Sequence, residues 1–477
     1  MNIKLPILAA LLGTAALTGV VQSQAQAPSS AQLRPDQVEF RGLYKELVET
    51  NTTLSAGSCT LAAERMAARL RAAGIPDSQM TLFSVPEAPK DGGLVVVYPG
   101  SSKKLKPMLL LAHLDVVEAK RSDWTRDPFT LIEEGGYYYA RGTVDDKAHA
   151  AIWTDTLVRL AKAGFKPKRT IKLALTCGEE TSGAFNGADW LAKNKRELID
   201  AEFALNEGGG GRSDGKGKLR EQTIQVGEKA SQDFTLTVTN PGGHSSRPVR
   251  DNAIYVMGDA LGKVREYRFP LEFNDTTRAF FSRAGTNRGD AMGKAMMALS
   301  ANPADTDAEA TVSTDKMYNS MLRTTCVATL IDGGHAQNAL PQKVVANVNC
   351  RMFPGRSADE TQTLLEAAIG NSAVKVEQKV RGKPIAKTPP MYPWLIGPME
   401  QLSAKHFPGV PVIPVMSTGA TDGVYLAAVG IPTYGVPGRW VDPDGNGTHG
   451  LNERIEVRSL MEGRDYLYDL VKLLSSR

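Results

Sequence analysis

Cysteine and histidine are both scarce in this chain. It has four cysteines and six histidines in 477 residues. Four cysteines are few for a disulfide scaffold. None are paired at Cys-x-x-Cys spacing, which argues against a cysteine-based zinc site. Aromatic residues make up only 6% of the chain, and the net charge of +4 is small for the length. No dense basic run with interleaved aromatics occurs, so a dedicated nucleic-acid binder is disfavoured. Beyond the N-terminus, no segment reaches the roughly 18 consecutive apolar residues that a membrane span needs. What remains is ordinary globular material, with 42% hydrophobic and 23% charged residues, long enough for two or three domains.

The N-terminus reads as a targeting segment. Lys4 precedes the apolar stretch Leu5 to Val21, which gives way to Ser23-Gln24-Ala25-Gln26-Ala27. That is the pattern of a secretory signal with an Ala-x-Ala-like cleavage site. A cut after Ala27 leaves Pro28 first, and a cut after Ala25 avoids this; an uncleaved anchor is the other reading. No cysteine precedes Cys59, which argues against lipid attachment at a processed N-terminus. The expectation is a secreted or periplasmic protein with no stable membrane insertion once residues 1–27 are removed.

Strand-like and helix-like runs then alternate. Helical patterns cover 37–49, 59–73, 148–163 and 188–194, and apolar strand-type runs cover 93–98, 108–112, 171–176 and 202–206. Such alternation predicts an α/β domain with a mostly parallel sheet flanked by helices. Gly208-Gly209-Gly210-Gly211 lacks the following Gly-Lys-Ser/Thr of a phosphate loop and reads as a flexible loop. From about Lys229 the pattern becomes strand (233–239), helix (253–264), a polar and poorly patterned insertion (271–316), two strands (324–331, 344–352), helix (359–368) and strand (373–380). This β-α-β-β-α-β order predicts an inserted ferredoxin-like α+β domain over 229–381, between catalytic-domain segments 28–228 and 382–477. If 324–331 and 344–352 form a hairpin centred near Asn338, Cys326 and Cys350 face each other. A bridge and two buried thiols fit that placement equally.

Polar residues gather where the predicted strands end. Glu179-Glu180 follows Ile171 to Cys177. Adjacent carboxylates at a strand tip point in different directions, and two charges at a buried strand's mouth are costly without a metal or a proton-transfer role. An isolated Glu-Glu is most often a solvated turn, so the companions decide. His113-Leu114-Asp115 follows another apolar run, a spacing that suits a metal ligand oriented by a carboxylate. Asp145 and Asp146 open a helix, where acids also complement its dipole. Glu207 ends a third strand, and His449 lies in a C-terminal loop. His113, Asp145, Glu180, Glu207 and His449 offer two imidazoles and three carboxylates, a set that suits two zinc ions with one bridging carboxylate. Loops at one edge of an open α/β sheet are where such ligands converge.

In these motifs the chain resembles the co-catalytic zinc aminoacylase/carboxypeptidase family. Its members include acetylornithine deacetylase, succinyl-diaminopimelate desuccinylase and the glutamate carboxypeptidases. The resemblance runs from about residue 40 to the C-terminus. It rests on His113-Leu-Asp115, Gly142-Thr-Val-Asp145-Asp146-Lys147, Glu179-Glu180, Asn206-Glu207-Gly208, Gly242-Gly243-His244-Ser245 and His449-Gly-Leu-Asn-Glu453. It implies two Zn2+ per chain, with Co2+ or Mn2+ as substitutes. Asp145 would bridge them through a cis peptide bond to Asp146. His113 and Glu207 would hold one ion, Glu180 and His449 the other. Asp115 would orient His113, and Glu179 would act as the general base. In dimeric members, the residue matching His244 reaches a partner's site and stabilises the oxyanion. Arg351 and Asn338 would bind the substrate carboxylate and carbonyl, and the loop containing Gly419 would line the pocket.

Two positions depart from the family pattern: Ala148 where Gly is usual, and Leu451 where Pro is common. Neither removes a ligand. The resemblance implies a dizinc hydrolase that cleaves an amide bond next to a free carboxylate. Its substrate would be a peptide or an N-acyl amino acid, and a homodimer could form through the inserted domain. Export favours carboxypeptidase or dipeptidase work over N-acyl-amino-acid deacylation. A non-catalytic binding protein on the same fold would be expected to have lost a ligand or Glu179, and none is lost.

Overall fold

The computed structural model describes residues 33–477 apart from 182, 381 and 382, so the signal-segment reading of 1–27 falls outside the described residues. Met108–His113 and Ile171–Thr176 are mostly apolar runs broken inside only by Lys172, and every residue in both is buried. They pair in parallel, from Met108 opposite Ile171 to His113 opposite Thr176. A strand covered on both faces favours apolar side chains at nearly every position, and the buried Lys172 is satisfied by donating its Nζ to the Glu197 carbonyl at 2.9 Å. Met108, Leu110, Ala112, Ile171, Leu173 and Leu175 enter one core, and Leu109, Leu111 and Ala174 enter the other. Helices Pro35–Val48, Cys59–Ala72, Lys147–Lys162, Pro393–His406 and Val457–Ser475 contribute to the first core, and Gly187–Asn194 and Gly423–Ala428 to the second.

These strands are the middle of a ten-stranded mixed sheet. Ala88–Tyr98 and Met80–Val85 extend it antiparallel on one side. On the other, Phe203–Asn206 and Thr433–Gly435 continue it in parallel, and Leu219–Glu228, Gly210–Ser213, Trp440–Val441 and Val412–Ser417 complete it. The parallel strands ending at His113, Thr176 and Asn206 finish at the same edge. The polar motifs follow those ends directly.

Leu219–Glu228 passes from the main sheet into Ala230–Thr239, which begins a second, four-stranded layer. Its order is Thr325–Gly333, Lys343–Met352, Ala230–Thr239, Val374–Gln378, with every neighbour antiparallel. Helices Ala253–Glu266 and Ala358–Ile369 share its core. Numbered along the chain, the strands stand in the order 2-3-1-4, the ferredoxin-like arrangement.

Two sequence expectations need correction, and one left open is resolved. The glycine run is not wholly loop, because Gly210–Ser213 pairs with both Leu219–Glu228 and Trp440–Val441. The insertion at 271–316 is helical: Asp275–Arg288, Ala291–Ala301, Thr306–Val312 and Lys316–Leu322 pack through Phe280, Phe281, Met296 and Leu299 against Ile413 and Met416 of a main-sheet strand. Thr276 and Thr277 are buried among these apolar residues, which blurs the helical pattern. The cysteines are also all paired. Cys326–Cys350 joins directly opposed residues of the hairpin, and Cys59–Cys177, which no sequence spacing suggested, ties the Cys59–Ala72 helix to the residue after Thr176.

Candidate metal centre

Asp145 is the hub of the site. Its Oδ1 lies 3.1 Å from His113 Nε2 and its Oδ2 lies 3.1 Å from His449 Nε2. Glu207 Oε1 stands 3.7 Å from His113 Nε2, and Glu180 Oε2 stands 3.0 Å from His449 Nε2. The five residues fall into two groups that share one carboxylate. The Asp145–Asp146 peptide bond is cis.

Each of these side chains is held by its own loop. Glu453, fully buried, accepts hydrogen bonds from the backbone N–H groups of Gly142, Val144 and Asp145 and from Arg141 Nη1, at 2.7–3.1 Å. It lies four residues after His449, so one carboxylate stitches the His449 loop to the Asp145 loop. Sequence reading placed Glu453 in a motif without giving it a task. His113 Nδ1 lies 3.0 Å from the backbone carbonyl of Asp115 and 3.5 Å from its carboxylate. Asp115 Oδ2 instead accepts the Glu180 backbone N–H at 3.0 Å. Asp115 therefore fixes the ring through its main chain and Glu180 through its side chain.

The Glu179-Glu180 turn depends on Gly178, whose φ of +96° and contact with the Phe185 carbonyl leave no room for a Cβ. Cys177, one residue earlier, is pinned to Cys59. Asp422, which the sequence reading placed at the end of the pocket loop without a task of its own, accepts from Thr176 Oγ1 and Asn186 Nδ2 and so ties the turn to the 417–422 loop. The two glutamates diverge. Glu180 faces His449, and Glu179 Oε1 accepts from Lys383 Nζ at 2.9 Å.

The electrostatics describe acids without enough cation. Burial, and then the charge of Asp145, pushes the Glu207 pKa well above the carboxylate range. Burial likewise raises Glu180. Burial opposes ionisation of Asp145, but His113 and His449 hold its pKa well below the ordinary value. Burial also opposes the His113 imidazolium, yet Asp115, Asp145 and Glu207 raise its pKa well above normal. Hydrogen bonds to Asp145 and Glu180 push His449 up to about 10. Burial raises Asp422 to about 7, with Glu179 adding to the effect.

These donors fit a pair of small dications. Zinc–ligand bonds of about 2.0–2.2 Å in a tetrahedron place neighbouring donor atoms about 3.3–3.6 Å apart. The four imidazole–carboxylate separations, 3.0–3.7 Å, bracket that edge. His113 Nδ1 faces a carbonyl and acts as the donor, which leaves Nε2 free to offer its lone pair to a metal. Donor atoms of His113, Asp145 and Glu180 lie within 4.8 Å of one another, as do those of His113, Asp146 and Glu207. The buried oxygens Asp115 Oδ1 and Asp146 Oδ2 have no hydrogen-bond partner.

The remaining sequence candidates stand apart from this cluster. His244 is exposed, on a short ladder in which Gly243 pairs with Leu340 and His244 with Ala339. Asn338 adjoins that ladder, its carbonyl accepting from Ser245 N–H. Arg351 sits on the Lys343–Met352 strand between Ser231 and Thr325. Among the described residues, no hydrogen bond or ion pair joins these three to the His113–His449 group. Gly419 donates its N–H to Ser417 Oγ in the loop that also positions Asp422.

An open α/β sheet with acids and imidazoles converging at its parallel strand ends is the frame of a metal-dependent hydrolase. The chain belongs to peptidase family M20/M25/M40, whose model matches residues 109–473. It is similar to a probable carboxypeptidase S-like 2 of Dictyostelium discoideum, 28% identical over 399 residues, covering 80% of this chain and 74% of that one. It is also similar to the N-fatty-acyl-amino acid synthase/hydrolase PM20D1 of Homo sapiens, 26% identical over 405 residues, covering 83% and 80%. Among solved structures, an M20 family metallo-carboxypeptidase from Sulfolobus solfataricus shares the fold, with TM-score 0.67, 17% identity and coverage of 92% and 99%. The chain is thus a hydrolytic enzyme of a metallopeptidase family.

Proposed function

We propose that this enzyme cleaves an amide bond next to a free carboxylate, as a metallo-carboxypeptidase or dipeptidase. The observation that carries the reading is Asp145 shared between His113 and His449, with Glu207 and Glu180 flanking and Glu179 left outside the group. His113, Asp145 and Glu207 would hold one Zn2+, and His449, Asp145 and Glu180 the other. A bound pair would polarise the scissile carbonyl and lower the pKa of the attacking water. Glu179 takes the proton from that water and passes it to the departing amine. Arg351 and Asn338 bind the substrate's carboxylate and carbonyl, the Gly419 loop lines the pocket, and His244 stabilises the oxyanion.

The second reading is hydrolysis of N-acyl amino acids, favoured by the similarity to PM20D1. Both readings place a carboxylate beside the scissile amide. Zinc-loaded protein assayed against a panel of dipeptides, tripeptides and N-acyl amino acids separates them. Turnover of none of these, with about two zinc ions bound per chain, would reject both.

The reading also includes export and a homodimer. Removal of residues 1–27 would release the chain into an oxidising compartment, where two disulfides are stable. No helix among the described residues is long and apolar enough to cross a membrane. The lid, residues 229–381, would provide the dimer contact. Its edge strand Thr325–Gly333 exposes Val327, Leu330 and Ile331, and the neighbouring helix exposes Ile254 and Tyr255. An unpaired apolar edge of this kind invites pairing with a second strand. Sedimentation velocity tests this: a monomer at assay concentration rules out His244 acting in a partner's site.

A further inference from the structure

Lys383 lies on the stretch that leads from the lid strand Val374–Gln378 back to the helix Pro393–His406. Its Nζ is 2.9 Å from Glu179 Oε1. The next carboxylates that act on the ammonium are those of Asp422 and Glu228. Glu228 ends the strand leading into the lid and accepts the Thr421 backbone N–H at 2.8 Å. Among the described residues, no other lysine or arginine lies within 4.0 Å of a carboxylate of Asp145, Glu179, Glu180, Glu207, Glu228 or Asp422. One lysine is therefore aimed at one acid in a crowd of six, and the acid it meets is one of the three outside the metal group, the one next to Glu180 in the chain.

A salt bridge at the surface would deserve little weight, since such pairs contribute little. This pair is different in placement. The Glu179 side chain is only 12% exposed, and its neighbour Glu180 is committed to His449. Without a counter-charge, Glu179 would be free to turn toward bound metal, becoming another ligand instead of a base. An ammonium on Oε1 fixes the carboxylate's direction and leaves Oε2 to meet the attacking water.

We infer that Lys383 is the positioning residue of the general base, holding the Glu179 carboxylate out of the metal group and in line with the water. This rests on the proposed role of Glu179. It assigns the segment returning from the lid a direct part in the geometry of proton transfer.

The test uses the zinc-loaded full chain as Lys383→Met, Lys383→Arg, Glu179→Gln and the Lys383→Met/Glu179→Gln double variant. Lys383→Met should lower kcat by roughly 10- to 100-fold, the scale of a misplaced catalytic group. KM should stay within about twofold, because Lys383 acts through Glu179 and not on the substrate. Zinc content and melting temperature should match the parent. Lys383→Arg should restore most of kcat, and adding Lys383→Met to Glu179→Gln should cost nothing further. A Lys383→Met enzyme with parental kcat overturns the inference. So does a raised KM at constant kcat, or a further loss in the double variant. An active Glu179→Gln enzyme would instead overturn the proposed mechanism itself, so the two failures are distinguishable.

Discussion

Replacing Glu453 should disturb both the fold and the metal group, although Glu453 is not a proposed ligand. Its carboxylate is fully buried and receives four donors, one of them the buried Arg141 guanidinium. Glu453→Ala leaves Arg141 buried without its partner, a loss of roughly 3–5 kcal/mol. It also orphans three backbone N–H groups, each costing about 1–3 kcal/mol if water does not reach it. Water entering the vacated space would satisfy some of them, so about 5 kcal/mol is a reasonable total. Unfolding entropy of about 2.1 cal/mol/K per residue over roughly 440 residues gives about 0.9 kcal/mol/K. The expected drop in melting temperature is then about 5 °C. Because Asp145 N–H is one of the freed groups, zinc affinity should also fall, by roughly 10- to 100-fold as for lost supporting residues elsewhere. Glu453→Gln keeps the shape and an acceptor and should fall between the two proteins. Calorimetry with and without chelator, together with zinc titration, reads both effects. A Glu453→Ala protein that melts within a degree of the parent and binds zinc equally well would refute the role given to this residue.

Glu179→Gln should retain zinc while kcat falls by at least about 100-fold, the scale of a lost general base; loss of zinc in this variant would merge the two roles assigned to the pair. Chelation should abolish activity and zinc should restore it, with a melting temperature that rises with zinc concentration because metal binds the folded state. Burial raises the Glu228 pKa to about 7, above its ordinary 4.5. Between those values the folded state binds the extra proton, so this group's contribution is full below pH 4.5 and is lost as pH rises through 7. The loss amounts to about 3 kcal/mol. Denaturant melts of Glu228→Gln should lose less stability over that window than the parent, and parallel curves would contradict this. Removing the Cys59–Cys177 bridge with a double serine variant should cost roughly 5 kcal/mol by loop-closure entropy, measured by the same melts.

Much of the fold was legible because buried parallel strands leave few polar positions. Met108 to Ala112 and Ile171 to Thr176 could be read on sight for that reason. Leu219–Glu228 was missed because Gln222 and Gln225 are buried within it, and Gln222 takes up the Gly438 N–H that would otherwise lack a partner. The Asp275–Arg288 helix did leave a signal at its start: Asn274 and Thr277 form a reciprocal cap. In the site, His113, Glu180 and Glu207 were visible because each follows a strand end. Asp145 and His449 entered through the chemistry of the set. The tasks of Glu453, Lys383 and Asp422 were invisible, since each acts on residues hundreds of positions away or nearly so. Cys59 and Cys177 are separated by 118 residues, and only the packed sheet brings them together.

That bridge has a consequence for how the enzyme would age. The stretch between Cys59 and Cys177 contains His113, Asp115 and Asp145, along with surface residues such as Lys103 and Lys104 that a trypsin-like protease could reach. A cut there would not free the piece. The N-terminal fragment, carrying Cys59, would remain covalently joined through Cys177 to the fragment that holds His113, Asp145 and the Glu179-Glu180 turn, and its strands Met80–Val85 and Ala88–Tyr98 would stay in the sheet. A nicked molecule would migrate as one chain until reduced and would then separate into two. Damage of this kind would go unnoticed by the active site, and reducing and non-reducing gels of the same active sample would reveal it.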